Sequence, residues 1–512
     1  MKKLLAIFTA SSLIFWSTGA AALTHTPAAR AIASVPNFVV IPSLYLDLLV
    51  ASPTINEEVL VKSQQFKQYL LNLAKQGVYP VVPNEYIVVL KSEVNNIAGV
   101  AQNINQNFGV KINQLYITGD HGFAATLSAN QYLVLINDSR VKYITPVTVQ
   151  FIQDIPEPCN NSGCLPSPQV ETISTGARRI GDEQNRFSGR GVTIAGIDTG
   201  INMNHPDLAA NISSDLRRNC LVGANPTNAF DDHGHGSHTA GIMAAAHNNM
   251  GVRGVAYNAT LVPVKVLNAL GWGTTSTVIC GMDYVTQNAN RIQVANMSLG
   301  GYWMVVNDNC QNTSQDPEYA AACAMERAGV ILVVAAGNNG LDLIRPLTDP
   351  ENSWNVIRPG AYDSVITATA LSDSDGRPGG LGAVTSIRDV DDRTAYYTNF
   401  SSCQRSIGPN CPWIKRVIKA PGTDILSTTL RSRYGLMSGT SMAAPYVSGA
   451  VALLLEKWHR LNLPRPANPR LAAEDALLGV GPDSMAPEAV GNGNTDPLGT
   501  NPEPLLNLRN LR

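Results

Sequence analysis

Four short segments of this 512-residue chain carry side chains able to do chemistry. Thr193-Ile-Ala-Gly-Ile-Asp198-Thr-Gly ends an apolar, β-branched run in a carboxylate. Asp232-His-Gly-His235-Gly-Ser-His238-Thr-Ala-Gly sets three imidazoles at the head of an apolar stretch. Val333-Val-Ala-Ala-Gly-Asn338-Asn-Gly runs into a glycine-flanked amide, and Ser438-Gly-Thr-Ser441-Met-Ala-Ala-Pro445 places a hydroxyl at the start of a helix. Singly, each has a plain structural explanation. An Asp at a strand end serves as a turn or cap residue, Asn tolerates left-handed turns, and Ser caps helices. As a set they are the parts of nucleophilic catalysis. A hydroxyl attacks poorly until a positioned base takes its proton, and the oxyanion that forms needs a hydrogen-bond donor.

These groups need a scaffold. Short apolar runs at 192–197, 260–267, 294–299, 331–336 and 364–370 read as strands, separated by helical stretches at 238–247, 276–288 and 317–328. Apolar strands alternating with helices predict a parallel sheet covered on both faces, with functional groups gathered at the carboxyl ends of its strands. After Ser441, the residues Val447, Ala450, Val451, Leu454, Leu455 and Trp458 form one apolar helical face. Upstream, residues 84–152 read in the order β-α-β-β-α-β, the ferredoxin-like plan. A Pro- and Cys-containing stretch at 156–168 separates the two parts, and one further helix is expected at 57–75.

Together the four motifs resemble the subtilisin-like serine proteases, the subtilase family, whose triad runs Asp, His, Ser along the chain. The resemblance covers about residues 170–512. It implies an α/β fold, a subtilisin-like parallel sheet flanked by helices. Tyr86-Ile-Val-Val-Leu-Lys91, Gly122-Phe-Ala-Ala and Val141-Lys-Tyr-Ile144 are similar to the family's inhibitory propeptide. The implied division is a signal peptide at 1–22, a ferredoxin-like α+β propeptide at 23–153 with its core at 84–152, and a catalytic domain at 154–512 that begins in the 156–168 arm. The implied activity is serine endopeptidase. His235, the first His of His-Gly-Ser-His, is then the base in preference to His233 and His238. Asp198 orients it, Ser441 attacks, and Asn338 donates to the oxyanion.

Two binding features follow from the same resemblance. Asn296-Met-Ser298-Leu299-Gly300-Gly301 is similar to the family's substrate-binding strand, so Ser298, Leu299 and Gly300 are expected to pair with a peptide's main chain. Asp207, Asn248 and Glu171, with the carbonyls of Ala246, Met250 and Val252, match a family calcium loop, which implies a structural calcium ion.

Composition fits this reading. Lys plus Arg (37) nearly balances Asp plus Glu (39), so nucleic acid is not expected as a partner. The expected partners are protein or peptide substrates and the chain's own propeptide, with the enzyme a monomer. Lys2 and Lys3, the apolar residues 4–16 and Ala20-Ala21-Ala22 read as a cleaved export signal. No apolar run of about 20 residues follows, so no membrane anchor is expected and the product is secreted, to the medium, periplasm or cell surface. All eight cysteines, Cys159, Cys164, Cys220, Cys280, Cys310, Cys323, Cys403 and Cys411, lie beyond residue 158. Eight cysteines allow 105 pairings. Close spacing favours 159–164, 310–323 and 403–411, which leaves 220–280.

Rival chemistries fit poorly. His233-x-His235-x-x-His238 is similar to the H-x-H-x-D-H cluster of metallo-hydrolases, but Ser237 stands where that motif needs Asp. There is no G-x-S-x-G of the α/β-hydrolases and no P-loop.

Overall fold

The computed structural model describes residues 38–75, 78–152, 170–303, 310, 316–343, 356–402, 415–464, 466–480, 484–485 and 504–511. The expected signal peptide, the 156–168 arm and Cys159, Cys164, Cys403 and Cys411 lie outside the described residues.

The five apolar runs of the second part all form strands. From one edge, the central sheet runs Arg393–Thr394, Ile366–Ser372, Ile331–Ala335, Val294–Met297, Thr193–Asp198, Thr260–Lys265 and Arg218–Asn219. Val417–Pro421 also pairs with Ile366–Ser372. Every pairing is parallel except that of Arg393–Thr394. Alternate strand residues feed two separate cores. Ile194, Val294, Ile331 and Val333 pack with the helices His235–Ala244 and Thr440–Arg460. Ala195, Ile197, Val262, Leu332 and Val334 pack with Thr275–Gln287 and Pro317–Arg327. This is why these strands are apolar throughout rather than alternating. The 440–460 helix crosses the core, and its face from Val447 to Trp458 is buried. Each large side chain buried there contributes about 1.5–3 kcal/mol.

Two boundaries differ from the sequence expectation. The strand expected at 294–299 stops at Met297, and Leu299–Trp303 begins a strand of a different sheet. Between them Ser298 is tied to the 440–460 helix, with its Oγ donating to the Ser441 carbonyl at 2.9 Å and the Ser441 Oγ donating to the Ser298 carbonyl at 3.0 Å. The helix expected at 238–247 instead spans His235–Ala244. Its start is fixed by the Asp231 carboxylate, which accepts from the backbone N–H groups of His233, Gly234 and Ser237 at 2.9 Å each.

The upstream unit folds as the strand Tyr79–Leu90, helix Ile97–Phe108, strands Lys111–Tyr116 and Gly122–Thr126, helix Ala129–Ile136 and strand Val141–Ile152. Its sheet is antiparallel in the order 141–152, 79–90, 122–126, 111–116. Asn96 caps the first helix and Gly109, in the left-handed region, ends it. Ser128 and Gln131 form a capping box on the second. The last strand runs on to Ile152 because it gains partners in the downstream part of the chain: Val149, Gln150 and Phe151 pair antiparallel with Thr274, Gly273 and Trp272, and Phe151 and Ile152 with Gly300 and Leu299.

Residues 38–75, whose sequence indicates only one helix, wrap over this junction. Asn268 Nδ2 donates to the Leu48 and Val50 carbonyls at 2.8 Å each, and Trp272 Nε1 donates to Ser63 Oγ at 2.7 Å. The ring of Phe66 lies 5.0 Å from that of Trp272, which in turn lies 5.5 Å from that of Phe151. Disulfides join Cys220 to Cys280 and Cys310 to Cys323, as the spacing suggested. Among the described residues no helix is long and apolar enough to cross a membrane.

Candidate active site

Thr193–Asp198, Val294–Met297 and Ile331–Ala335 are adjacent strands, and a residue from each chemical motif leaves at or just past its carboxyl end. Asp198 closes the first, Ser298 follows the second, and Asn338 lies three residues past the third. His235 opens one helix and Ser441 is the second residue of another. Gly439 precedes that second helix at φ 149°, a backbone angle that L side chains rarely adopt, which lets the chain turn sharply into Thr440 and Ser441.

The Asp198 carboxylate and the His235 ring are both buried, with Asp198 Oδ1 2.8 Å from His235 Nδ1. The Thr199 N–H donates to the same oxygen at 2.7 Å. Asn338 Oδ1 accepts from both the N–H and the Oγ of Thr440, each at 2.9 Å. Its Nδ2 is buried and has no hydrogen-bond partner among the described residues. A buried amide donor left open is costly unless something is meant to occupy it. Here it belongs to a side chain clamped to the residue before Ser441. The arrangement can hold an imidazole in one tautomer and present a donor beside a hydroxyl, the requirements of acyl transfer.

Asp231 and Lys265, which the sequence reading did not single out, organise this centre. Besides the three N–H groups, Asp231 accepts from Thr199 Oγ1 at 2.8 Å and Ser237 Oγ at 2.6 Å. Thr199 Oγ1 in turn accepts from the Gly236 N–H at 2.9 Å. Asp231 thus ties the turn after Asp198 to the helix that carries His235. Lys265 Nζ, buried, donates to the Thr199 and Leu267 carbonyls and to Asp232 Oδ1. The only sequence signal was an acidic pair just before the His-rich motif. His238 points elsewhere, its Nε2 lying 2.9 Å and 3.0 Å from the Ile425 and Gly435 carbonyls.

Leu299 and Gly300 line an occupied groove, while Ser298 before them is bonded to Ser441. Leu299 and Gly300 form one wall and Trp272–Thr274 the other, with residues 149–152 between them. The Ile152 N–H donates to the Gly271 carbonyl at 3.2 Å.

The residues matched to a calcium loop are gathered in one place. Asp207 Oδ1 accepts from Asn248 Nδ2 at 3.0 Å, and Oδ2 accepts from the Val252 N–H at 2.9 Å and Tyr434 OH at 2.8 Å. The Ala246 N–H donates to the Asp207 carbonyl at 2.7 Å. Glu171 Oε1 pairs with His247 Nδ1 at 2.6 Å and Oε2 accepts from the N–H groups of Asn248 and Asn249, while the Met250 N–H donates to Asn248 Oδ1. The donor set suits a hard cation in kind: carboxylates, an amide and backbone carbonyls. Asp207 Oδ1, with a single donor on it, retains acceptor capacity. A second acidic group able to hold a cation, Asp373, Asp375 and Asp391, has one oxygen from each residue within 4.8 Å of the others. Burial pushes the Asp373 carboxyl up to about 7, while the Gly376 N–H and Arg179 oppose the shift.

A family model described as the subtilase family matches residues 189–466, more than half of the chain. Subtilisin DY of Bacillus licheniformis is 34% identical over 294 residues, covering 57% of this chain and 86% of that protein. The subtilisin-like serine protease Pen c 1 of Penicillium citrinum is 30% identical over 401 residues, covering 73% of this chain and 82% of its own. A solved cold adapted subtilisin-like serine proteinase is 29% identical with a TM-score of 0.45, covering 65% of this chain and 97% of that one.

Proposed function

Because this chain belongs to the subtilase family, and is therefore a serine endopeptidase acting on peptide substrates, we propose that it cuts through Asp198, His235 and Ser441 and is made as a secreted, self-processed zymogen. In this mechanism His235 takes the Ser441 proton as Oγ attacks the scissile carbonyl carbon. Asp198 keeps the proton on Nδ1 and stabilises the imidazolium. The oxyanion receives hydrogen bonds from Asn338 Nδ2 and the Ser441 N–H. His235 then protonates the leaving amine, the acyl group stays on Ser441, and water activated by the same imidazole releases it.

The observation that carries the zymogen reading is the pairing of Phe151 and Ile152 with Gly300 and Leu299. The chain's own segment lies in the groove as a peptide strand. The register ends with Ile152 opposite Leu299, the residue after Ser298, whose carbonyl accepts the Ser441 hydroxyl. Cleavage after residue 153 would release an enzyme of residues 154–512. Residues 38–152 then act as an intramolecular inhibitor, with 38–75 bracing the groove wall at Trp272. The charged start and apolar stretch of residues 1–22 and the two disulfides support export.

Calcium belongs to the same proposal. Asp207, Asn248, Glu171 and the carbonyls of Ala246, Met250 and Val252 would hold it. The ion would tie the arm near residue 171 to the loop after the His235 helix, a structural role without a part in catalysis.

Amino-terminal sequencing of enzyme recovered from the medium tests the processing claim. A start at or within a few residues of 154 is expected. Full activity in a chain that begins near residue 23 would overturn it.

A further inference from the structure

Gln150 enters the groove with its side chain fully buried against a cluster of charged groups, where an apolar pocket would suffice for a generic substrate. Its Nε2 donates to Glu318 Oε2 at 2.9 Å. Glu318 is the second residue of the Pro317–Arg327 helix and is itself fully buried. Arg358 Nη2 lies 3.6 Å from the same carboxylate, and Arg358 Nη1 is held by Asp316 Oδ2 at 2.8 Å. Tyr362 OH donates to that Asp316 oxygen at 3.0 Å. The floor is Gly301, where a Cβ would meet the Val149 carbonyl at 2.4 Å and Gln150 Oε1 at 3.0 Å.

We infer that Glu318, braced by the Arg358–Asp316 pair, makes this part of the groove a polar subsite that selects an amide side chain at the fourth substrate residue before the cut. The inference rests on the reading of residues 149–152 as a substrate-like strand, with the cut after residue 153. Two buried atoms, Gln150 Oε1 and Glu318 Oε1, have no partner among the described residues, and they sit on the two groups already joined by the Nε2 bond. A carboxyl group that carries a proton matches an amide with one donor and one acceptor on each side. Burial pushes the Glu318 carboxyl up to about 7, helped by Asp316 and opposed by Arg358 and Gln150, so both protonation states are accessible near neutral pH. An aliphatic side chain in the same place takes the Nε2 hydrogen bond away from the buried carboxyl and leaves it facing Arg358 at 3.6 Å, which disfavours its binding.

The test uses processed enzyme and three internally quenched peptides: Val-Gln-Phe-Ile-Gln-Asp-Ile, the same peptide with Leu at the second position, and Phe-Ile-Gln-Asp-Ile, which does not reach the subsite. Wild type should favour the Gln peptide over the Leu peptide by at least about tenfold in kcat/KM. Glu318→Leu should erase or reverse that ratio and Glu318→Gln should keep most of it, each ratio being taken within one variant and read beside that variant's own rate on the short peptide. The short peptide serves as the control that each variant is folded and active. Equal cleavage of the Gln and Leu peptides by wild type, or an unchanged ratio in Glu318→Leu, overturns the inference while leaving the protease reading intact. Failure of wild type to cut any peptide sinks the protease reading and the subsite with it.

Discussion

Thr440 holds Asn338 by its amide oxygen, through the Thr440 N–H and Oγ at 2.9 Å each. The proposed oxyanion donor is therefore positioned by the residue next to the proposed nucleophile, and the two cannot drift apart independently. Asn338→Ala should lower kcat by about 10²–10³ with KM nearly unchanged, a magnitude borrowed from subtilisin, a member of this family. Thr440→Val, which removes one of the two bonds, should cost less, about tenfold. Steady-state kinetics on the double variant check the coupling: once Asn338 is gone, the Thr440 change should have little further effect.

Asp231 touches no substrate, yet its carboxylate joins the turn after Asp198 to the start of the His235 helix. Asp231→Asn turns one acceptor oxygen into a donor facing N–H groups. It should lower kcat by about 10–100-fold through misplacement of the imidazole, with KM little altered. It should also lower the melting temperature. A variant that loses stability but retains full kcat would show that Asp231 only supports the fold.

Calcium can be tested without an activity assay. If the loop around Asp207 and Asn248 binds it, stabilisation at a hundredfold excess over Kd is about 2.7 kcal/mol. Chelation should lower the melting temperature, and added calcium should restore it. Asp207→Asn should remove most of that calcium response. If the Asp207→Asn response matches wild type, the ion binds elsewhere, and the Asp373, Asp375 and Asp391 group becomes the place to look.

Inhibition should depend on pH through Glu318. Its carboxyl is raised to about 7 while Gln150 covers it, first by burial, with Asp316, Arg358, Tyr362 and Gln150 as the groups around it. With the groove vacated, water reaches the carboxyl and its pKa falls towards the ordinary carboxylate range near 4.3. A raised pKa in the covered state means that covering binds a proton. That contribution to inhibition is full below about 4.3 and is lost as pH rises through about 7. Release of the cleaved inhibitor, followed as the lag before full activity, should be faster at pH 8 than at pH 5.5. Glu318→Gln should flatten much of this dependence. An unchanged pH profile in that variant would remove Glu318 from the explanation.

Much of the centre was legible because its pieces are local. A carboxylate ending an apolar strand, a glycine before a helix-opening residue and an amide after a β-branched run each constrain their own few residues. The buried parallel strands were legible for the same reason, since both faces are covered and the runs are apolar throughout. What the sequence hid is non-local. Asp231 reads as an ordinary turn residue until the 198–199 turn and the His235 helix are brought together. Ser298 ends a strand early only because it bonds to a residue 143 positions away. Glu318 reads as a solvated helix residue, and Arg358 and Gln150, which bury it, lie 40 and 168 positions from it in the sequence. Apart from the helix at 57–75, which forms as expected, residues 38–75 were opaque because their apolar residues serve a junction between two parts of the chain and not a core of their own.

The most direct test of the central claim is the mass of secreted chains from wild type and Ser441→Ala, measured side by side with casein hydrolysis. The account predicts an active wild-type chain of about 359 residues, 154–512. The Ser441→Ala chain should be inert and retain residues 23–153. Equal masses for the two chains, or casein hydrolysis by Ser441→Ala, would contradict it.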